Sequence, residues 1–284
     1  MKIIWVLDNV TGEKSFYSRL YTLLLIASVS LWKRFYPNDN CVLYCDELTR
    51  ETLETIKVLH LWNSIEIYKP KYNIERKIFW AAAKLEVLSQ QTEPCIIVDN
   101  DLHIFAPIKK FLDPNKFYVH NIEQGKGYYP SYTDKYVRQL TYKPRWQTES
   151  VNVSFLQLPD PSFIREYAFA SLKLMEEFTA MEVPNSQYLI FAEQLLLRHM
   201  FKMKDIDFTS LIGTYWDCNA WEWGDEHDRG IWSIYDSEVF VKHYGPLKRW
   251  IVHNKADQSY DREIKHLLNC INIPNLDLTS IDKP

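Results

Sequence analysis

Short apolar runs alternate with longer stretches of helical spacing through the first hundred residues. KIIWVL (2–7), CVLYC (41–45), SIEIY (64–68) and CIIV (95–98) are rich in β-branched and aromatic residues, the composition of strands. Between them the spacing predicts helices over roughly 15–35, over ELTRETLETIKVL (47–59) and over ERKIFWAAAKLEVLSQQ (75–91), the last with helix-favouring alanines at its centre. The order βαβαβαβ predicts an α/β fold with a mostly parallel central sheet flanked by helices on both faces. Beyond Ala106 the rhythm changes. Residues 120–150 read as loop, SVNVSFLQL (150–158) as a strand, and REYAFASLKLMEEF (165–178) and AEQLLLRHMF (192–201) as helices. EVFVKHYGPLKRW (238–250) reads as a strand running into a loop, 215–232 shows no clear period, and the last thirty residues are polar.

LYTLLLIASVSLW (20–32) carries no charge for thirteen residues, but a bilayer span needs about twenty. It reads as a core helix, so no transmembrane segment is expected. MKIIWVLDN reaches Asp8 too early for the apolar core of a signal peptide. The five cysteines are odd in number and follow no zinc spacing, which fits buried, reduced thiols and a cytoplasmic location. A net charge of −4 with no long basic run argues against nucleic acid as a partner. One domain is expected over 1–284, with a nucleotide-binding half (1–106), an acceptor and metal-completing half (107–250) and a tail (251–284).

Chemistry enters at CIIVDNDLHIF (95–105). In open α/β sheets ligands collect at the carboxyl ends of strands, and Asp99 and Asp101 follow the fourth strand there, as Asp8 follows the first and Asp46 the second. If the chain stays extended, Asp99 and Asp101 share a face and Asn100 points away. Two carboxylates so placed suit Mg2+ or Mn2+, which fill their remaining positions with water and phosphate oxygens. Neither G-x-G-x-x-G nor G-x-x-x-x-G-K occurs, so a metal would do the work of a glycine loop in holding a diphosphate. The plain alternative is a surface turn, for which Asp and Asn are common residues.

From these residues the chain resembles the GT-A fold of nucleotide-sugar glycosyltransferases, whose D-x-D motif is followed by an apolar stretch and a proline, as in DLHIFAPIKKFLD. It is most similar to glycosyltransferase family eight, of the glycogenin and lipopolysaccharide hexosyltransferase type. The resemblance implies a metal site of Asp99, Asp101 and His243, the histidine coming from HYGPLKRW. There His243, Gly245, Lys248 and Trp250 match H-x-x-G-x-x-K-P-W, with one residue fewer between His and Gly and Arg249 in place of proline. SVNVSFLQL resembles the F-N-x-G strand under the donor sugar, giving Asn152 as a donor contact with Ser154 where the family has glycine. AEQLLL resembles D-Q-x-x-L, giving Glu193 and Gln194; helix capping would equally explain an acid and an amide there. Lys84 resembles the basic residue before D-x-D that reaches the donor, and a solvated lysine on a helix face is the competing explanation. The donor site so implied would also take Asp8, beside the nucleobase or ribose, and Tyr17, stacked on the base, for which a core aromatic is the equal alternative.

What the resemblance implies for function is a metal-dependent transfer of a hexose from a nucleotide-diphosphate sugar, UDP-linked for preference, to a glycan or lipid-linked acceptor, with retained anomeric configuration. Lys248 would offset the leaving diphosphate. Trp221, Trp223 and Asp225 are candidates for the acceptor, since aromatic faces suit sugar rings. The enzyme would be cytoplasmic or peripheral to the inner face of the membrane. Two other classes stay open: a sugar nucleotidyltransferase, although only Gly12 follows the first strand where a glycine-rich loop would be needed, and a non-catalytic carbohydrate- or nucleotide-binding protein of the same fold.

Overall fold

The computed structural model describes residues 1–8, 19–124, 129–144, 149–211, 215–217, 241–243, 258–271, 273 and 276, with backbone alone at 19, 124, 215–217, 241–243, 258–260 and 263. The chain divides into two compact units. The first comprises residues 1–67, 98–112 and 224–284, the second 68–97 and 113–223.

In the first unit β1 (Lys2–Leu7), β2 (Asn40–Cys45) and β3 (Ser64–Ile67) lie side by side, β1 parallel to β2 and β2 parallel to β3. Ile3, Ile4 and Trp5 are wholly buried in succession, as the unbroken apolar run requires of a strand covered on both faces. Helix α1 (Arg19–Phe35) buries Leu23 to Ala27, Val29, Leu31 and Trp32 almost completely. Each such leucine contributes about 1.5–3 kcal/mol of burial. The uncharged run is therefore core, as expected, and among the described residues no helix is long and apolar enough to cross a membrane. Asp46, a strand-end acid, caps α2 (Glu47–Thr55): its carboxylate accepts from Thr49 N (2.9 Å) and Thr49 Oγ (2.6 Å).

The second unit holds α3 (Ala82–Leu88), three residues of β4 (Cys95–Val98), β6 (Phe117–Gln124), β7 (Glu149–Leu158), β8 (Phe208–Ser210) and β9 (Tyr215–Asp217). Strand order is β4-β7-β6-β8, with β9 also on β6. Strands β8 and β9 run parallel to β6, which is antiparallel to β7. Helix α4 (Pro161–Ala180), capped by Asp160 on Ser162 N, packs on α3 and β7. Helix α5 (Gln187–Ile190) passes through a π-helical turn (Phe191–Leu195) into α6 (Leu196–Met203), which also packs on β7.

The mixed α/β class and the mostly parallel strand pairing follow the sequence pattern. Three local expectations change. Residues 117–124 form β6, although 120–150 read as loop, because β6 hydrogen-bonds on both edges and needs no alternation to stay paired. The helix expected over 75–91 is regular only over Ala82–Leu88, after tight turns. There the buried Glu86 carboxylate draws in the 68–76 loop, meeting Arg76, Tyr68 Oη (2.7 Å) and Lys71 N (3.0 Å). Finally, the polar C-terminal region contains α7 (Gln258–Ile271), which packs on α1 and receives Arg34 Nη2 at Cys270 O (2.8 Å). Cys41, Cys45, Cys95 and Cys270 are buried, as expected; Cys218 lies outside the described residues.

Candidate functional site

Strand β4 does not continue through the acidic motif. Leu102 N donates to Asp99 O (3.1 Å), closing residues 99–102 into a turn before β5 (Leu102–Ile104). The extended geometry expected for D-N-D is thus replaced by a reversal, for which Asp and Asn are suited. The turn is not a surface feature: Asp101 is 4 % exposed, and Asp99 and Asn100 are half-buried. Asn100 fixes it, donating from Nδ2 to Val6 O (2.9 Å), two residues before Asp8, which is half-buried.

Strand β5 is held in turn by α1. Trp5 Nε1 donates to Ser28 Oγ (2.9 Å), and Ser28 Oγ donates to Leu102 O (2.7 Å); His103 Nε2 lies 3.0 Å from Leu24 O. These buried bonds set the backbone that follows Asp101. The other edge of β5 pairs antiparallel with β10 (Val241–His243), and the register places His243 opposite Leu102. A histidine 142 positions after Asp101 in the chain thereby arrives beside the acidic turn. Tyr17, Trp221, Trp223, Asp225, Gly245 and Lys248 lie outside the described residues, as does the side chain of His243. Among the described residues no group of three His, Cys, Asp or Glu side chains is placed to hold a metal.

A second cluster occupies the interior of the other unit. Lys84 Nζ, on α3, pairs with Glu193 Oε1 at 2.8 Å, and the two side chains are 12 % and 5 % exposed. Lys84 is therefore not a solvated helix-face lysine. Nor is Glu193 a cap, because it and Gln194 sit in the π-helical turn, well after the helix starts at Gln187. Such turns widen a helix locally and are frequent at functional sites. Gln194 Oε1 is buried and meets no hydrogen-bond partner among the described residues, a state that suits an amide awaiting a ligand hydroxyl.

Asn152 is 7 % exposed, and both ends of its amide are engaged: Nδ2 donates to Glu123 Oε1 (2.8 Å), and Oδ1 accepts from Ser154 N (3.0 Å). His120 and Tyr129 complete this polar interior; Tyr129 Oη bonds Ser150 Oγ and lies 3.4 Å from Glu123 Oε2. Sequence reasoning missed His120, Glu123 and Tyr129. The available signal was the row of polar residues within FYVHNIEQ, which is unexpected in a buried strand unless they face one another.

The chain belongs to a family of unknown function (DUF6734), whose model matches residues 2–235. No curated protein matches its sequence. Among solved structures it is similar to the galactosyltransferase LgtC in complex with donor and acceptor sugar analogs, at 14% identity over 97% of this chain and 98% of that one, with a TM-score of 0.49. It is also similar to the glycosyltransferase GlyE of Streptococcus pneumoniae TIGR4, at 14% identity over 86% of this chain and 54% of that chain, with a TM-score of 0.46. Mouse xyloside xylosyltransferase 1 in its apo form matches at 13% identity over 86% of this chain and 97% of that one, with a TM-score of 0.43.

Proposed function

We propose that the protein is a metal-dependent, retaining glycosyltransferase of GT-A type that moves a hexose from a nucleotide-diphosphate sugar, UDP-linked for preference, to a glycan or other hydroxyl acceptor. One observation carries this reading: β10 pairs with β5 so that the backbone of His243 stands opposite Leu102, directly after Asp101. Two carboxylates and an imidazole form a donor set that suits Mn2+ or Mg2+. A divalent cation held by Asp99, Asp101 and His243 would supply charge against the leaving diphosphate.

The chain's own groups would do the rest. Lys248 would neutralise diphosphate oxygens and Gly245 would let the backbone approach them, while Asp8 and Tyr17 would meet the nucleoside. Lys84 and Asn152 would serve the donor sugar, and Glu193 and Gln194 would serve the transfer step. Trp221, Trp223 and Asp225 would receive the acceptor. Holding both reactants in register is worth more here than any acid–base group, since the acceptor hydroxyl must meet the anomeric carbon at close range.

The test is calorimetry of the full chain with UDP, with and without Mn2+, after a thermal-shift screen of nucleotide sugars. Metal-dependent UDP binding that disappears in Asp99→Asn/Asp101→Asn, together with hydrolysis or transfer of one nucleotide sugar, is expected. Equal binding without metal points to the non-catalytic reading. Pyrophosphate release from a nucleoside triphosphate points to the nucleotidyltransferase. Sugar transfer at the normal rate by the double variant refutes the metal site.

A further inference from the structure

Strands β6 and β7 pair Val119 with Leu156 and Asn121 with Asn152, so the register shifts at His120: residues 153–155 of β7 stand against a single residue of β6. An irregularity of this kind bends a strand and re-aims its side chains. Here it turns three polar groups toward one another. His120 is 0 % and Ser154 1 % exposed. His120 Nδ1 lies 2.8 Å from Ser154 Oγ and 3.3 Å from Asn152 Oδ1.

An amide oxygen only accepts, so contact with it calls for the proton on Nδ1 of His120; Ser154 Oγ, closer at 2.8 Å, accepts from the same N–H and so holds the ring in place beside the amide. Asn152 Oδ1 then meets two donors, Ser154 N and His120 Nδ1, and its Nδ2 is left to face Glu123 Oε1. An asparagine amide reversed by 180° would set oxygen against carboxylate oxygen and nitrogen against two donors. The surroundings of Asn152 therefore define one orientation.

We propose that His120 and Ser154 are positioning residues that lock the amide of Asn152 for contact with the sugar of the donor, a role that rests on the function proposed above. The sequence places Ser154 where the resembling family carries glycine. Glycine offers no hydroxyl, so the lock depends on a serine on β7 paired with a histidine on β6. Both residues act through Asn152. Neither is called on to touch the substrate.

The experiment compares UDP with UDP-glucose and UDP-galactose by calorimetry in Mn2+, on the full chain, for the wild type, Ser154→Ala, His120→Leu and His120→Asn. The last keeps a donor nitrogen at the place of Nδ1. Affinity for UDP is expected to stay within about twofold in all four, while the extra affinity given by the sugar falls about tenfold in Ser154→Ala and His120→Leu, the worth of one well-placed hydrogen bond. His120→Asn restores most of it. A core role alone would lower thermal stability and move UDP and nucleotide-sugar affinities together, and that result overturns the proposal. So does an unchanged sugar increment in Ser154→Ala, the mildest variant and the one that decides if His120→Leu does not fold. A wild type to which neither sugar adds affinity overturns it as well. A wild type with no metal-dependent UDP binding overturns the proposed function itself and this role with it, whereas normal UDP binding with an indifferent Ser154→Ala removes only the positioning role.

Discussion

Replacing Lys84 with methionine removes one charge from a pair whose partner cannot reach water. Glu193 is 5 % exposed at its side chain and accepts the ammonium at 2.8 Å. Breaking a buried pair from one side costs about 3–5 kcal/mol, because the remaining charge stays desolvated. For 284 residues the unfolding entropy is about 0.6 kcal/mol per degree, so Lys84→Met should melt about 5–8 °C below the wild type. The double variant Lys84→Met/Glu193→Leu removes both charges and fills the space with apolar atoms. It should recover to within roughly 1–2 °C of the wild type or exceed it, as buried pairs replaced by hydrophobic residues commonly do. Thermal melts and denaturant titrations of wild type, both single variants and the double variant give the coupling energy directly. If Lys84 and Glu193 serve the site as proposed, nucleotide-sugar binding should remain impaired in the double variant despite its recovered stability. A single variant melting within about 1 °C of the wild type, or a double variant no more stable than Lys84→Met, would show that the pair is screened like a surface contact.

Further outcomes are expected elsewhere. Asn100→Ala deletes the bond to Val6 O and should cost about 1 kcal/mol while weakening metal-dependent UDP affinity; a thermal shift without any loss of affinity would detach the turn from the site. Ser28→Ala breaks the Trp5–Ser28–Leu102 relay and leaves two buried groups unpaired, at about 1–3 kcal/mol each, seen as an earlier denaturant midpoint. Burial pushes the thiols of Cys41 and Cys45 up to about 12, so iodoacetamide at pH 8 should spare both in the native protein and label them in denaturant. Because these folded-state values lie above the ordinary 9.0, the stability they give is complete below pH 9 and declines as pH rises toward 12. The decline is about 1.4 kcal/mol per pH unit per thiol, and urea midpoints at pH 8 and 10.5 should fall less in Cys41→Ala/Cys45→Ala than in the wild type.

Much of this was written locally. The apolar runs at 2–7, 41–45, 64–68 and 95–98 and the uncharged stretch inside α1 gave strands and a core helix at nearly their observed bounds. They are strong because a continuous apolar run has few other places to go. Asp99 and Asp101 also stood out, since charge directly after such a run needs an explanation. Their backbone did not. Spacing alone suggested an extended face, and the turn came from Asn100 reaching back to Val6, a partner 94 residues away. The 117–124 strand escaped notice because its buried positions include His120, Asn121 and Glu123, so the alternation that marks a half-exposed strand is absent.

The sequence by itself determined the class of fold, the core helix, and the identity of the groups that end the strands, because burial of apolar runs and turn chemistry act over a few residues. Tertiary structure alone decided who meets whom. Hydrogen bonding between β5 and β10 brought His243 to the acidic turn, the π-helical turn set Glu193 against Lys84, and the shifted register of β6 on β7 closed His120, Ser154, Asn152 and Glu123 into one network. Those encounters join residues 29 to 142 positions apart. No local pattern specifies them, because the free energy that selects a partner at such separation is realised only after the intervening chain has folded.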